Sequence, residues 1–450
     1  MAETLDPGQL LDQLRQERRT RSEKPAPVSA RKAPPESGRR APPLDAPSFR
    51  DLEGYDQMRL MKAASEQFDL ASPFFRTIDA VRGTMARIGG QWVSNFASYD
   101  YLGLNQEPAI RSAAQTAIDQ WGVSANASRL VGGDKRFHGE LEARLAALYQ
   151  VDAALAMVSG HATNVSVVRT LVGAGDLVLM DALIHNSVAE GVRASGAAHL
   201  TFPHNDVDWI DRRLAACRDQ YRHVLIVTEG LFSMDGDRPD LPRLTEIKSR
   251  HGAWLMVDEA HALGVLGETG RGSAEAHGIA GTDVDIWMGT LSKTLSSCGG
   301  YIAGSSVLID YLRFKCPGFV YSVGLSAPNA AAASAAIDAM HNAPERVATL
   351  RDNGALFRRL AQDAGLDTGL SEGHAITPVV VGDSMRAVIV ADQLLQAGFN
   401  VLPILFPAVP EKAARLRFFL TSGHDEQQIR DVIAATTAAM TMASTWNFRK

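Results

Sequence analysis

The chain has 450 residues, 46% hydrophobic and 21% charged, with a formal net charge of −6, which is ordinary for a globular protein of two or three compact units. Basic clusters are confined to the first 40 residues and no apolar run reaches membrane-spanning length, so neither nucleic-acid binding nor a transmembrane segment is supported. The N-terminus is too charged for a signal peptide. The three cysteines (Cys217, Cys298, Cys316) make neither a metal spacing nor a disulfide framework, so a reducing cytoplasm is expected.

Residues 1–50 read as a leader. Pro7–Arg21 predicts a short charged helix, and Ser22–Pro47 is too rich in Pro, Ala, Arg and Ser to offset its ordering entropy. A solvated tail and a docking segment for a carrier protein or neighbouring enzyme are both open readings. Residues 51–105 form an N-terminal segment: an amphipathic helix and loop over Tyr55–Phe75, then a β-hairpin over Thr84–Phe96 about a Gly-Gly turn, feeding NFASYDYLGL.

Residues 106–342 read as the large domain. Pro108–Trp121 predicts a helix, and Gly132-Gly133 a turn before a helix containing Glu140–Tyr149. From Ala153 to Gly304 short apolar runs (ALAMVS, LVLMD, HLTFP, HVLIVTEG, WLMVDE, DIWMG) alternate with helical stretches. That rhythm predicts an α/β fold with a mostly parallel, seven-stranded-type sheet, whose ligands gather at the carboxyl ends of the strands.

Informative polar residues do follow the apolar runs. The turn from Ser159 through Gly160 and His161 to Asn164 opens a helix, where free amides suit a phosphate. In LMVDEAH a buried strand ends in Asp258, with His261 three residues on; such a carboxylate is costly without a cationic partner. A protonated pyridine nitrogen is one such partner, and a strand-end cap is the simpler alternative. Thirty-five residues later, IWMGTLSKTLSSCGGYIAG places Lys293 between two apolar runs. Desolvation there lowers a lysine's pKa and makes it a Schiff-base nucleophile, although an exposed turn lysine is the commoner case. Together Asp258 and Lys293 favour pyridoxal 5′-phosphate (PLP).

Residues 343–450 read as a smaller α+β C-terminal domain: helix, ITPVVVGD strand, helix, NVLPILFPAVP, ARLRFFLTSGH, helix.

VDEAHALGVLGETGRG followed by GTLSKTLSSCGGYIAG resembles the α-oxoamine synthases, PLP enzymes of fold type I, and the resemblance runs from about Phe75 to the C-terminus. It implies PLP on Lys293 with its ring nitrogen at Asp258. It places His185 against the ring and Ser233 and His261 at the phenolic oxygen. The phosphate falls to Gly160, His161 and Thr290, with Ser292 a weaker candidate. Ser322 is implied to reach the partner subunit's phosphate in a homodimer. Arg417, with Arg415 as alternate, is implied to take the amino-acid carboxylate.

Tyr99 stands where the family often has Asn, a position that faces substrate. With the long leader, this departure favours a long-chain acyl thioester (of CoA or acyl carrier protein) as in serine palmitoyltransferase. An 8-amino-7-oxononanoate synthase-like enzyme is the alternative. The implied reaction is condensation of an amino acid with that thioester, usually with loss of carbon dioxide, and His261 donates a hydrogen bond to the thioester oxygen. An ordinary PLP aminotransferase and an inactive scaffold subunit are the competing classes.

Overall fold

The computed structural model describes residues 48–52, 54, 55, 59 and 72–444. The helix expected over Pro7–Arg21, the stretch Ser22–Pro47 and most of the helix expected over Tyr55–Phe75 lie outside these residues. Contacts divide the chain into residues 1–61 and 62–450. The first unit includes a 3-10 turn, Phe49–Asp51, where Ser48 Oγ accepts from Arg50 N and Asp51 Oδ2 accepts from Ser48 N.

The second unit begins with β1 (Ala80–Arg82), β2 (Met85–Ile88) and β3 (Gln91–Asn95), paired antiparallel. Gly89 and Gly90 make the β2–β3 turn at φ of 56° and 81°, where a side chain would be strained. The hairpin is the one expected; β1 adds an edge strand that its short, half-exposed sequence did not announce.

The large sheet follows, with β4 (Ala153–Met157), β5 (Leu177–Asp181), β6 (Ala198–Phe202), β7 (Val224–Glu229), β8 (Trp254–Asp258), β9 (Ile286–Thr290) and β10 (Gly300–Gly304). Their spatial order is β4-β10-β9-β8-β7-β5-β6, with β10 antiparallel to both neighbours and the β9-β8-β7-β5-β6 pairs parallel. Every residue of β7 and β9 is buried, as helices on both faces of a parallel sheet require. The last sheet holds β11 (Ile376–Gly382), β13 (Leu402–Ile404) and β14 (Ala414–Phe419) in the order β11-β14-β13, flanked by helices Pro344–Asp363, Ser384–Gln396 and Glu426–Ser444. The two-residue β12 (Phe399–Asn400) stands apart from that sheet and pairs parallel with β3. No helix among the described residues is long and apolar enough to cross a membrane.

The β9–β10 pair carries the loop of Lys293, so its packing sets the site. Tyr301 lies opposite Gly289, fully buried, and its hydroxyl meets that of Tyr149 at 2.7 Å. A Cβ at Gly289 would meet the Tyr301 ring at 2.2 Å. Gly289→Ala is therefore expected to cost about 1–3 kcal/mol in urea denaturation. Gly139→Ala, on a helix with nothing near its Cβ, serves as a control and should be neutral or slightly stabilising. An unchanged midpoint for Gly289→Ala would show that the ring yields without cost.

Candidate active site

The carboxyl ends of β4, β5, β7, β8 and β9 converge on a cavity of about 300 Å³, lined among others by Gly160, His185, Asp258, His261, Thr290 and Lys293. Its anion corner is built by the helix Gly160–Leu171. Ser159 Oγ accepts from Ala162 N at 3.3 Å, and the first amides of the helix have no intrahelical acceptors. Gly160 has no side chain because Thr290 stands against it: a Cβ there would lie 2.9 Å from Thr290 Oγ1. Thr290 Oγ1 meets Ser292 Oγ at 2.7 Å and donates to Gly299 O at 2.9 Å, so both hydroxyls of the β9 turn gather at one point. The His161 ring is half-exposed at the cavity rim, edge-on to His185 with centroids 6.3 Å apart.

His185 caps the helix Asn186–Ser195. Its Nδ1 lies 2.7 Å from Ser187 Oγ, which accepts from Asn164 Nδ2 at 3.0 Å; the same amide donates to Asp258 Oδ2 at 2.8 Å. Ser187 N also donates to His185 Nδ1 at 3.3 Å, so Nδ1 is an acceptor, the Ser187 hydroxyl proton points to it and the His185 proton sits on Nε2. Burial also lowers the His185 pKa, which keeps the ring neutral. Asp258 Oδ1 accepts from Ala260 N at 3.0 Å.

Glu229 pairs with Asp258 across β7 and β8. Burial, and then the neighbouring Asp258 charge, push its carboxyl up to about 8. One Glu229 oxygen accepts from Ser233 N at 3.3 Å; the other is buried without a partner among the described residues. Burial lowers Lys293 to about 8 against the pull of Asp258 and Glu229. His261 is buried, its Nδ1 2.7 Å from Tyr101 Oη, and desolvation followed by the Lys293 charge holds its pKa well below the usual value.

Arg417 and Arg415 project from β14 toward the loop after β7, with different fates. Arg415 is held by Asp235 at 2.6 Å and by Ala413 O, so it is not available as the alternate carboxylate ligand. Arg417 donates to Ser233 O at 3.0 Å and reaches Tyr99 Oη at 3.4 Å, while its Nε is buried and unpartnered among the described residues. Tyr99 lies between the two cations, its ring 5.5 Å from Lys293 Nζ. Ser233 is buried beside Glu229 but does not line the 300 Å³ cavity. Ser322 also lies off it, between exposed Tyr321 and Val323.

A second cavity, about 790 Å³, shares Ser292, Lys293 and Cys298 with the first and runs past Tyr99 to Thr84, Gln106 and Arg346. A third, about 770 Å³, lies at the amino ends of the strands, where Asp176 is already paired with Arg222 and Asp285 with Lys248. The chemistry therefore belongs to the carboxyl ends.

These groups fit PLP. A desolvated amine, a buried carboxylate with lone pairs to spare, a ring-sized gap beside a neutral His185 and an anion corner all meet in one cavity. Glu229, Asn164, Ser187 and Tyr101 were not read as site residues from the sequence. Glu229 and Asn164 stood in the strand-end runs and Tyr101 in NFASYDYLGL, but only the fold supplies their partners. In the cofactor-free protein, modification of Lys293 by an amine-directed reagent is expected to rise through a midpoint near pH 8. Asp258→Asn should move that midpoint lower, since the carboxylate favours the charged amine. Peptide mapping by mass spectrometry reads both; a midpoint near 10.5, the ordinary lysine value, would contradict the geometry.

Residues 92–435 match the family described as aminotransferase class I and II. The 8-amino-7-oxononanoate synthase of Geobacter sulfurreducens is 42% identical over 363 residues, 80% of this chain and 92% of the relative. That of Methylocella silvestris is 42% identical over 348 residues, 77% and 97%. The solved serine palmitoyltransferase of Sphingomonas wittichii superposes with a TM-score of 0.84 at 28% identity, covering 89% of this chain and all of that one. The architecture is thus that of fold type I PLP enzymes. The chain belongs to the aminotransferase class I and II family and within it to the PLP-dependent α-oxoamine synthases, acyltransferases that condense an amino acid with an acyl thioester.

Proposed function

We propose that this enzyme makes 8-amino-7-oxononanoate or a close analogue. That product has nine carbons, an amine on the eighth and a ketone on the seventh. Cutting between them leaves a two-carbon amine fragment, which is alanine less its carboxyl, and a seven-carbon acyl group ending in a carboxylate. The thioester carrier is CoA or an acyl carrier protein.

The observation that carries this reading is the mixed lining of the 790 Å³ cavity beside Lys293, where Thr84, Asn95, Ser98, Asn105, Gln106 and Arg346 stand beside Ile78, Val81, Ala97 and Leu102. Such walls suit a short acyl chain, whose methylenes take the apolar groups and whose polar end takes the polar ones. Relatives above 40% identity bear the same name, against 28% for the serine palmitoyltransferase structure. Both points favour this reading over the long-chain donor expected from Tyr99 and the leader.

Bound PLP supplies the electron sink that makes an amino acid's α-proton removable. Gly160, His161, Thr290 and Ser292 would hold its phosphate, Asp258 its protonated ring nitrogen and His185 one face of its ring. Lys293, neutral in a substantial fraction near pH 8, takes and returns the α-proton. Arg417 binds the amino-acid carboxylate through two parallel donors, a geometry its guanidinium matches. His261 donates to the thioester oxygen as that atom gains charge. The thiol leaves, and loss of carbon dioxide completes the α-amino ketone.

Mass spectrometry of products from a matrix of amino acids and acyl thioesters tests the reading. Alanine with a seven-carbon ω-carboxyacyl thioester is expected to give the highest kcat/KM. A preference for serine with a sixteen-carbon donor, or consumption of 2-oxo acids without thioester, would overturn it.

The working unit is proposed to be a cytoplasmic homodimer, with residues 106–342 and 343–450 as its large and small domains. Leu130, Val131, Tyr321 and Val323 are exposed apolar residues on neighbouring segments, joined where Gly324 N donates to Ala127 O at 3.0 Å. Burying them in a second copy would bring Ser322 toward that copy's phosphate site. Val131→Asp should shift the protein toward monomer in sedimentation and lower activity in step; a wild-type monomer active at assay concentration would sink the dimer.

A further inference from the structure

Tyr101 lines neither catalytic cavity, is fully buried, and its hydroxyl makes a single hydrogen bond among the described residues, with Nδ1 of His261 at 2.7 Å. Two arrangements of that bond are possible for a neutral ring. If Nδ1–H donates to the phenol oxygen, the phenol's own proton is left without an acceptor in a place closed to solvent. A buried donor left unmade is expensive. If the phenol donates to Nδ1, both groups are satisfied and the ring's one proton sits on Nε2. A doubly protonated ring is opposed by burial and by the nearby Lys293 and Arg417 charges. The ring plane is fixed as well: Phe419 lies parallel to it, 14° between planes at 6.4 Å, and Tyr99 meets it edge-on at 5.7 Å.

We infer that Tyr101 is a positioning residue that locks His261 as the Nε2–H tautomer, making it a hydrogen-bond donor to the cavity beside Lys293 and withholding it from service as a base. The lock crosses 160 residues of sequence, from the run after β3 to the turn after β8. It complements the one on His185, whose Nδ1 is occupied by Ser187. The imidazoles of His185 and His261 thereby both turn donors toward the cavity, and proton abstraction is left to Lys293. The consequence for rate rests on the proposed condensation, in which the thioester oxygen gains charge and needs a donor.

The test uses the full chain loaded with PLP and labelled with ¹⁵N in its histidine rings, the His261 signals being assigned by their loss in His261→Gln. Wild type is expected to show Nδ1 unprotonated and Nε2 protonated at neutral pH. Tyr101→Phe, which keeps the ring and removes the hydroxyl, should allow a proton onto Nδ1. In the same variant kcat for thioester-dependent turnover should fall on the order of tenfold, with the KM for the amino acid nearly unchanged. A merely structural role would instead leave the tautomer as it was. Wild-type His261 protonated on Nδ1, or a Tyr101→Phe enzyme with unaltered tautomer and turnover, would overturn the inference. Should Tyr101→Phe not fold, the wild-type spectrum alone decides the tautomer. The predicted tautomer in a protein that ignores thioesters would uphold the role of Tyr101 and remove only the proposed reaction.

Discussion

A carboxylate buried at the end of β8 is the constraint on which the rest of the site depends. Asp258 is 5% exposed, and a charge so placed is tolerated only when it is hydrogen-bonded and faces a cation. Asn164 and the Ala260 amide supply two bonds, and Lys293 a positive charge that interacts with it. Glu229, adjacent across the sheet, cannot also ionise at neutral pH without repelling it, and is pushed up to about 8. The cavity thus sets a hydrogen-bonded Asp258 beside a carboxyl pushed up to about 8 and an amine lowered to about 8. That poise follows from burial at converging strand ends.

How much of this was legible in the sequence depended on the range of the interaction. The order of apolar runs fixed the α/β class, since each strand of the large sheet is a local pattern of four to six residues. Lys293, Asp258, His185 and His261 stood out because each follows such a run, where an α/β sheet gathers ligands. Tyr101 and Ser187 did not, because their meaning lies in their partners. A tyrosine in NFASYDYLGL reads as core until the fold brings His261 to it, and Ser187 reads as a helix-start serine until Asn164 reaches across 23 positions. Register across β7 and β8, which puts Glu229 against Asp258, is likewise a property of pairing and of neither strand alone. The resemblance ranked Arg417 ahead of Arg415, but what separates the two physically is again a distant partner: Asp235, not the strand, holds Arg415.

That separation shows how the C-terminal sheet is tied to the chemistry. Arg415 and Arg417 are two apart on β14 and so leave the same face of the sheet, both toward the loop that follows β7. The loop is also held from the large sheet. His204 bridges Asp181 and Asp237 at 2.8 Å on each side, and although burial opposes its charge, those two bonds raise it to about 10. Because that value lies above the ordinary 6.5, the clamp's contribution to stability is complete below about 6.5 and is lost as pH rises through about 10. It therefore persists where Lys293 and Glu229 titrate. With Asp237 held through His204 to Asp181 at the end of β5, and Asp235 held by Arg415 of β14, the loop joins the two sheets. Arg417, two residues from Arg415, donates to Ser233 O of the same loop while its Nε stays buried and unpartnered among the described residues.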